Sequence, residues 1–152
     1  MEFRITSYDI KKAFDKIRKK ILEWIMNYYG FHETLIKWIN RIIEKIVQVI
    51  CVDSDVTKEF EAETGVRQGW PLSLLLFELY FNPLLKYLGK EINGIIIEDV
   101  AVKLNSFVDD LTTHTETEDD FKVAVQSIDK YSNIFKLQLN RNKLKCYDWE
   151  TK

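Results

Sequence analysis

Two cysteines, two prolines and five glycines in 152 residues leave little from which to build a disulfide scaffold, a flexible linker or a repeat array. Cys51 and Cys146 stand far apart and match neither a CxxC pair nor a Cys/His zinc spacing, so two reduced thiols in a reducing compartment are expected. Net charge is small as well. The 22 Lys and Arg against 24 Asp and Glu give −2, which excludes a general attraction to nucleic acid or acidic membranes from composition alone. No apolar run approaches the roughly 18 residues of a membrane span. The N-terminal MEFRITSYDI has neither a secretory nor a transit pattern, so a soluble intracellular chain with no membrane partner is expected.

What is present is core-forming material. With 46% hydrophobic and 13% aromatic residues the chain can bury one good-sized core and is too short for two ordinary domains, so residues 1–152 are read as one domain. Charge is local rather than global. Residues 11–20, KKAFDKIRKK, are basic, Asp53 to Glu63 and Glu116 to Asp120 are acidic, and KLQLNRNKLKC near the end is basic again.

Hydrophobic periodicity predicts alternating elements. Glu2 to Tyr8 reads as a short strand followed directly by Asp9. From Lys11 to Tyr29, Phe14, Ile17, Ile21, Leu22, Ile25 and Tyr28 fall at helical spacing, with Gly30 as the stop. A second helix carries the stripe Leu35, Trp38, Ile39, Ile42, Ile43 and Ile46. Residues 47–62 read as a hairpin about Asp53-Ser54-Asp55, and Gly65 to Gly69 as a loop. Ser73 to Leu88 is apolar almost all round, a buried helix that Pro83 should bend. Ile95 to Ile97, Val100 to Val108 and Leu111 to His114 are strand-like, Asp120 to Phe135 is helical with Thr117 as N-cap, and Lys136 to Tyr147 reads as a strand pair. The order is that of an α+β fold, a sheet covered by helices.

One stretch stands out against this pattern. NSFVDDLT puts Asp109 and Asp110 in the tight connection of a predicted hairpin, flanked by apolar residues, and Asp9 ends another strand in the same way. Asp is a common turn residue, and a solvated turn is the plain reading of the pair. Three carboxylates brought together from strand ends would repel one another unless a cation neutralised them, and hard oxygen ligands suit Mg²⁺. Two such ions about 4 Å apart clamp the oxygens of an in-line phosphoryl displacement. Nucleotidyl transfer is the chemistry this suggests.

Four blocks in order carry a resemblance across nearly the whole chain. YDIKKAFD, with Asp9 followed by the aromatic Phe14, is similar to the first palm motif of reverse transcriptases. GVRQGWPLSLLLF from Gly65 resembles the second block, GVRQGCPLSPLLF, except at Trp70 and Leu74. FVDD, Phe107 to Asp110, resembles the Phe/Tyr-x-Asp-Asp box, and LQLNRNK, Leu137 to Lys143, resembles the fourth block, in which a lysine follows a Leu-Asn pair. The GVRQG block is the specific one and is most similar to the non-LTR (LINE-like) retrotransposon type.

The resemblance implies a polymerase palm, an antiparallel sheet with a ferredoxin-like core covered by helices, lacking complete fingers and thumb. It implies two Mg²⁺ ions, with Mn²⁺ as a substitute, held by Asp9, the Ile10 carbonyl and Asp109, with Asp110 supporting the site. Phe14 would lie beneath the sugar of the incoming deoxynucleoside triphosphate, although it also fits the helical apolar stripe. Gln68 and Gly69 would sit near the nascent base pair, Arg67 would touch phosphate, and Lys143 would face the pyrophosphate leaving group as its acid. The implied partners are an RNA template, a DNA primer and the deoxynucleotide, with the fingers, thumb or other parts of a parent polyprotein. Trp70 adds bulk where the family has Cys, which would overpack the site unless it turns outward. Leu74 replaces a Pro suited to a helix's first turn. Two functions of different kinds follow: an RNA-directed DNA polymerase palm, or a folded but non-catalytic remnant of a decayed element. Another palm-type nucleotidyltransferase, an RNA-dependent RNA polymerase or a nucleotide cyclase, is disfavoured by Phe14 and GVRQG. Asp15, Asp119 and Asp120 read as structural or solvated, and His32 and His114 have no partners at metal spacing.

Overall fold

The computed structural model describes residues 2–44 and 64–150, together with short strand pairs at 47–48, 51–52, 55–56 and 60–61. The one domain expected from length divides into two compact units, Met1–Ala13 with Phe81–Lys152, and Phe14–Tyr80. No helix among the described residues is long and apolar enough to cross a membrane.

The first unit is built on strands β1 (Glu2–Asp9), β8 (Leu104–Phe107), β9 (Asp110–Thr115) and β10 (Lys145–Glu150). They form an antiparallel sheet in the spatial order β10-β1-β9-β8. Taken in chain order, the four strands lie fourth, first, third, second. With helical connections from β1 to β8 and from β9 to β10, this is the β-α-β-β-α-β arrangement of a ferredoxin-like core. The α+β palm fold expected from the sequence is therefore the observed one.

Helix α4 (Glu118–Phe135) makes the β9 to β10 crossing. It starts where predicted because the Thr117 hydroxyl accepts a hydrogen bond from the Asp120 N–H at 3.1 Å, and three acidic residues in its first turn complement the helix dipole. It ends at Lys136, which adopts the left-handed conformation. Ala124, Ile128, Tyr131 and Phe135 form its buried stripe. Asp120 is buried too, and its carboxylate accepts from the Asn93 N–H and side-chain amide, both at 3.1 Å, a structural role as expected.

The Arg4 guanidinium lies 4.5 Å from the Phe121 ring centroid, so β1 turns Arg4, Thr6 and Tyr8 toward α4. Strand alternation then places Phe3, Ile5, Ser7 and Asp9 on the opposite face. A hairpin of β6 (Ile95–Ile97) and β7 (Val100–Val102) precedes β8, so the single strand expected over Val100 to Val108 is interrupted at Lys103. The expected strand pair at 136–147 is also replaced. Leu139 makes an isolated bridge to Ile10, a 3₁₀ turn follows at Arg141–Lys143, and β10 pairs along the outer edge of β1. That stretch extends the existing sheet instead of pairing with itself.

In the second unit the helix predicted over 11–29 is a 3₁₀ turn at Ala13–Lys16 followed by α1 (Lys19–Tyr28), with Arg18 extended between them. The apolar spacing is real, but the intervening carbonyls are used elsewhere. Phe14 C=O accepts from Val66 N–H at 3.0 Å, Ile17 C=O from Gly65 N–H at 2.8 Å, and Asp15 C=O from the Thr64 hydroxyl at 3.0 Å. A continuous helix would need those acceptors for itself. In α2 (Glu33–Glu44), Ile36, Ile39 and Ile43 are buried, whereas Leu35, Trp38 and Ile42 of the predicted stripe are exposed. Ile46 lies outside the described residues. The hairpin over 47–62 is present as β2 (Val47–Gln48) on β5 (Phe60–Glu61) and β3 (Cys51–Val52) on β4 (Asp55–Val56). Asp53 and Ser54 at its tip lie outside the described residues. Helix α3 (Pro71–Glu91) runs through Pro83 without interruption and contributes to both units. Pro71 at its first position suits a helix start. Leu76, Phe77, Tyr80, Phe81, Leu84 and Leu88 are buried, but Leu74, Leu75 and Tyr87 are exposed, so the helix is not buried on every side.

Candidate active site

The strand register decides what the three carboxylates do. Asp9 is the last residue of β1, and its partner across the antiparallel ladder is Asp110, the first residue of β9. Residues directly opposite share a face, and like charges so placed are destabilising unless something neutralises them. Asp110 is thus already in the strand, also opposite Phe107 of β8, and the turn consists of Val108 and Asp109 alone. The sequence placed both acids in the connection. Only Asp109 is there.

The neutralising charge is Lys143. Its ammonium stands 2.9 Å from Asp9 Oδ1, and the Asn140 side-chain amide donates to Asp9 Oδ2 at 2.9 Å. The hydrogen bonds from Lys143 and then Asn140 hold the Asp9 carboxyl below the ordinary aspartate range. The same contact raises Lys143 above the ordinary lysine value, first through the Asp9 hydrogen bond and its charge, with smaller contributions from the charges of Asp110 and Asp109. One ammonium therefore experiences all three acids. The four residues expected to be catalytic, Asp9, Asp109, Asp110 and Lys143, are brought together at one end of the sheet.

Backbone geometry fixes this cluster. Asn140 N–H donates to Asp9 C=O at 2.8 Å, and Lys11 N–H donates to Gln138 C=O at 2.7 Å. These two bonds flank the Ile10–Leu139 bridge. The bridge does not use the carbonyl of Ile10, although the Ile10 side chain is buried. Lys143 N–H then donates to Asn140 C=O at 2.9 Å, closing the 3₁₀ turn that aims Nζ back at Asp9. Asn140 was not singled out by the sequence reading. It lies in the Leu-Asn pair of the fourth block, and the available signal was a polar residue one position beyond an alternating apolar pair.

Val108 holds the turn in an uncommon conformation. Its φ is +56°, on a β-branched residue, while Asp109 has no positive φ. Positive φ at the first central position alone is the pattern of a type II′ hairpin turn, where glycine is usual. Strained backbone of this kind clusters at functional sites.

Among the described residues no group of three or more His, Cys, Asp and Glu side chains forms a metal cage. Donor chemistry nevertheless fits a hard divalent cation. The carboxylates of Asp9 and Asp110 face one another across the ladder with Asp109 next in the turn, and a carbonyl unused by the bridge lies next in sequence to Asp9. His114 is buried and held neutral, its pKa lowered by burial, with Asn105 3.1 Å from its Nε2.

The residues expected to bind nucleotide fall in the second unit, apart from Ile10. Phe14 is half-buried, with its ring centroid 5.6 Å from that of Phe77 on α3. Arg67, Gln68 and Gly69 are exposed in the loop before α3. Gly69 has a φ of +86° and open space where a Cβ would be, so its backbone conformation calls for glycine and no internal crowding does. Trp70 is exposed, turned outward with the Arg67 guanidinium 5.9 Å from its ring centroid, so it does not overpack the interior.

Residues 3–152 match the family described as reverse transcriptase (RNA-dependent DNA polymerase). The Pol polyprotein of the type-2 retrotransposable element R2DM from Drosophila melanogaster is 29% identical over 139 residues, 91% of this chain and 13% of that protein. The Pol polyprotein of the type-1 retrotransposable element R2 from Popillia japonica is 27% identical over 143 residues, 93% of this chain and 23% of that protein. The chain thus spans less than a quarter of either relative. Among solved structures, apo telomerase from Candida tropicalis truncated from its C-terminal domain is similar over 99% of this chain and 31% of that one, with a TM-score of 0.74 at 17% identity, a likeness of fold.

Proposed function

The chain belongs to the reverse transcriptase (RNA-dependent DNA polymerase) family, with non-LTR retrotransposon polyproteins among its relatives, and from that premise we propose that it is the catalytic palm of such an enzyme. Its reaction is attack of a primer 3′-OH on the α-phosphate of a deoxynucleoside triphosphate, directed by an RNA template. The observation that carries this reading is the cross-strand pairing of Asp9 with Asp110, beside Asp109 in the turn, with the Lys143 ammonium 2.9 Å from Asp9.

Asp9, Asp109 and the Ile10 carbonyl would hold divalent metal, Mg²⁺ by their hard-oxygen chemistry, with Asp110 adding negative charge beside them. When bound, such ions stabilise charge on the attacking and leaving oxygens. Asn140 keeps the Asp9 carboxylate aimed by donating to one oxygen and leaving the other for its charged partner. Lys143, its Nζ 2.9 Å from Asp9, would face the departing pyrophosphate and give it a proton from Nζ as the bond from the α-phosphorus breaks. Phe14, backed by Phe77, offers a flat face to the nucleotide sugar, and shape there excludes a 2′-OH. The open space around Gly69 and the exposed Arg67 suit the approach of a base pair and a phosphate. Template and primer are the partners, and the rest of a longer polyprotein supplies further contacts to them.

The test is primer extension on an RNA template with Mg²⁺, comparing the purified chain with Asp109→Asn. Extension by the wild type alone supports the reading. Extension by both sinks the assignment of Asp109. Extension by neither makes the chain a folded but non-catalytic remnant.

A further inference from the structure

Gly65 opens the most specific sequence block, yet the polymerase reading gives it no role. Its surroundings do. Its φ is +93°, and a Cβ built on it would lie 2.9 Å from the Asp15 Cα and 3.1 Å from the Phe14 carbonyl oxygen. Both the backbone conformation and the close approach require glycine. On either side of it the chain is bonded to the same turn. The Thr64 hydroxyl donates to Asp15 C=O at 3.0 Å, Gly65 N–H to Ile17 C=O at 2.8 Å, and Val66 N–H to Phe14 C=O at 3.0 Å. Three consecutive residues thus grip the stretch from Phe14 to Ile17, the 3₁₀ turn and the residue after it, while Phe77 packs against the Phe14 ring.

We infer that residues Thr64, Gly65 and Val66 form a strap that sets the position of Phe14 and thereby the discrimination between deoxyribo- and ribonucleoside triphosphates, with Thr64 a positioning residue. This rests on the reading of Phe14 as the sugar platform. Exclusion by shape is sensitive to displacements of an ångström or less, because a sugar bearing one extra oxygen is rejected only while the wall stays where it is. Phe77 packs against the Phe14 ring, and the backbone bonds of the strap hold the turn from which that ring projects. Thr64 is exposed, so loss of its hydroxyl opens no cavity and affects the grip alone.

The experiment measures single-nucleotide insertion on an RNA template, with deoxy- and ribonucleoside triphosphates in parallel, for wild type, Thr64→Val, Thr64→Ser, Gly65→Ala and Phe14→Val. In Thr64→Val the ratio of ribo- to deoxynucleotide kcat/KM should rise about fivefold, the size of one lost hydrogen bond, chiefly through a lower KM for the ribonucleotide. Thr64→Ser keeps the hydroxyl and should restore the wild-type ratio. Gly65→Ala should raise the ratio further wherever it folds. An unchanged ratio in Thr64→Val, or equal loss of both substrates, overturns the strap while Phe14→Val still relaxes selection. An unchanged ratio in Phe14→Val removes the platform and the strap with it. No insertion by the wild type removes the polymerase reading on which both stand.

Discussion

The strained turn at Val108 offers a stability experiment with a definite sign. Val108 has a φ of +56° between the paired residues Phe107 and Asp110, and a non-glycine residue held there costs about 1 to 3 kcal/mol. Replacing Val with Gly directly mixes that strain with the loss of a half-buried side chain, so the informative comparison is between Val108→Ala and Val108→Gly. Both have lost the valine's packing, and only the alanine retains the strain. Glycine gives back about 0.4 to 1 kcal/mol through the greater entropy of its unfolded chain. The difference leaves the Gly variant more stable than the Ala variant by about 0.5 to 2 kcal/mol. In an ordinary strand the same exchange has the opposite sign, glycine being worse than alanine by roughly 0.5 to 1 kcal/mol. Urea denaturation of the two variants would show it as a shift in midpoint at constant slope, and thermal unfolding as a rise of about 2 to 4 °C per kcal/mol. If the Gly variant proves less stable than the Ala variant, the turn is not strained and the argument fails. The glycine also loosens Asp109, the next residue, so the Gly variant should extend primers more slowly than the Ala variant, a gain in stability set against a loss of aim.

The Asp9–Lys143 pair makes a pH prediction. Asp9 has a lowered pKa, so its contribution to stability is present above the unfolded value of about 3.9 and is lost as pH falls through the folded value. Lys143 has a raised pKa, so its share is present below about 10.4 and is lost as pH rises through the folded value. The stability gap between wild type and Asp9→Asn should therefore be open across that window and narrow on its acid side. A gap independent of pH from neutrality to strong acid would refute the pairing. Asp120→Ala removes a buried carboxylate that accepts from the Asn93 N–H and side-chain amide and should cost about 1 to 3 kcal/mol in urea denaturation, whereas Asp119→Ala, on a mostly exposed side chain, should cost well under about 1 kcal/mol.

How much of this could be read from the sequence depends on what kind of interaction fixes each feature. Helix α4 was legible because everything that starts it is local: Thr117 caps the N–H three residues ahead and the apolar stripe does the rest. The acids, Phe14 and Lys143 stand in the four sequence blocks, and of these Asp9, Asp109, Asp110 and Lys143 come together at one end of the sheet. Three things were not legible. Asp9 and Asp110 stand opposite one another because of a cross-strand register, and a slip of one residue would put them on opposite faces. Asn140 is tied to Asp9 across 131 positions of sequence, and nothing near it in the chain reports that contact. The helix expected over 11–29 fails for the same reason. Its apolar periodicity is genuine, but Phe14, Asp15 and Ile17 give their carbonyls to a segment some fifty residues away, and periodicity records which side chains are buried, not where backbone acceptors are used. Where local pattern and long-range bonding disagree, the disagreement falls on the turn that carries Phe14. An unbroken helix would place that ring by its own geometry alone, whereas the broken one leaves its position to be set by the loop that follows Thr64.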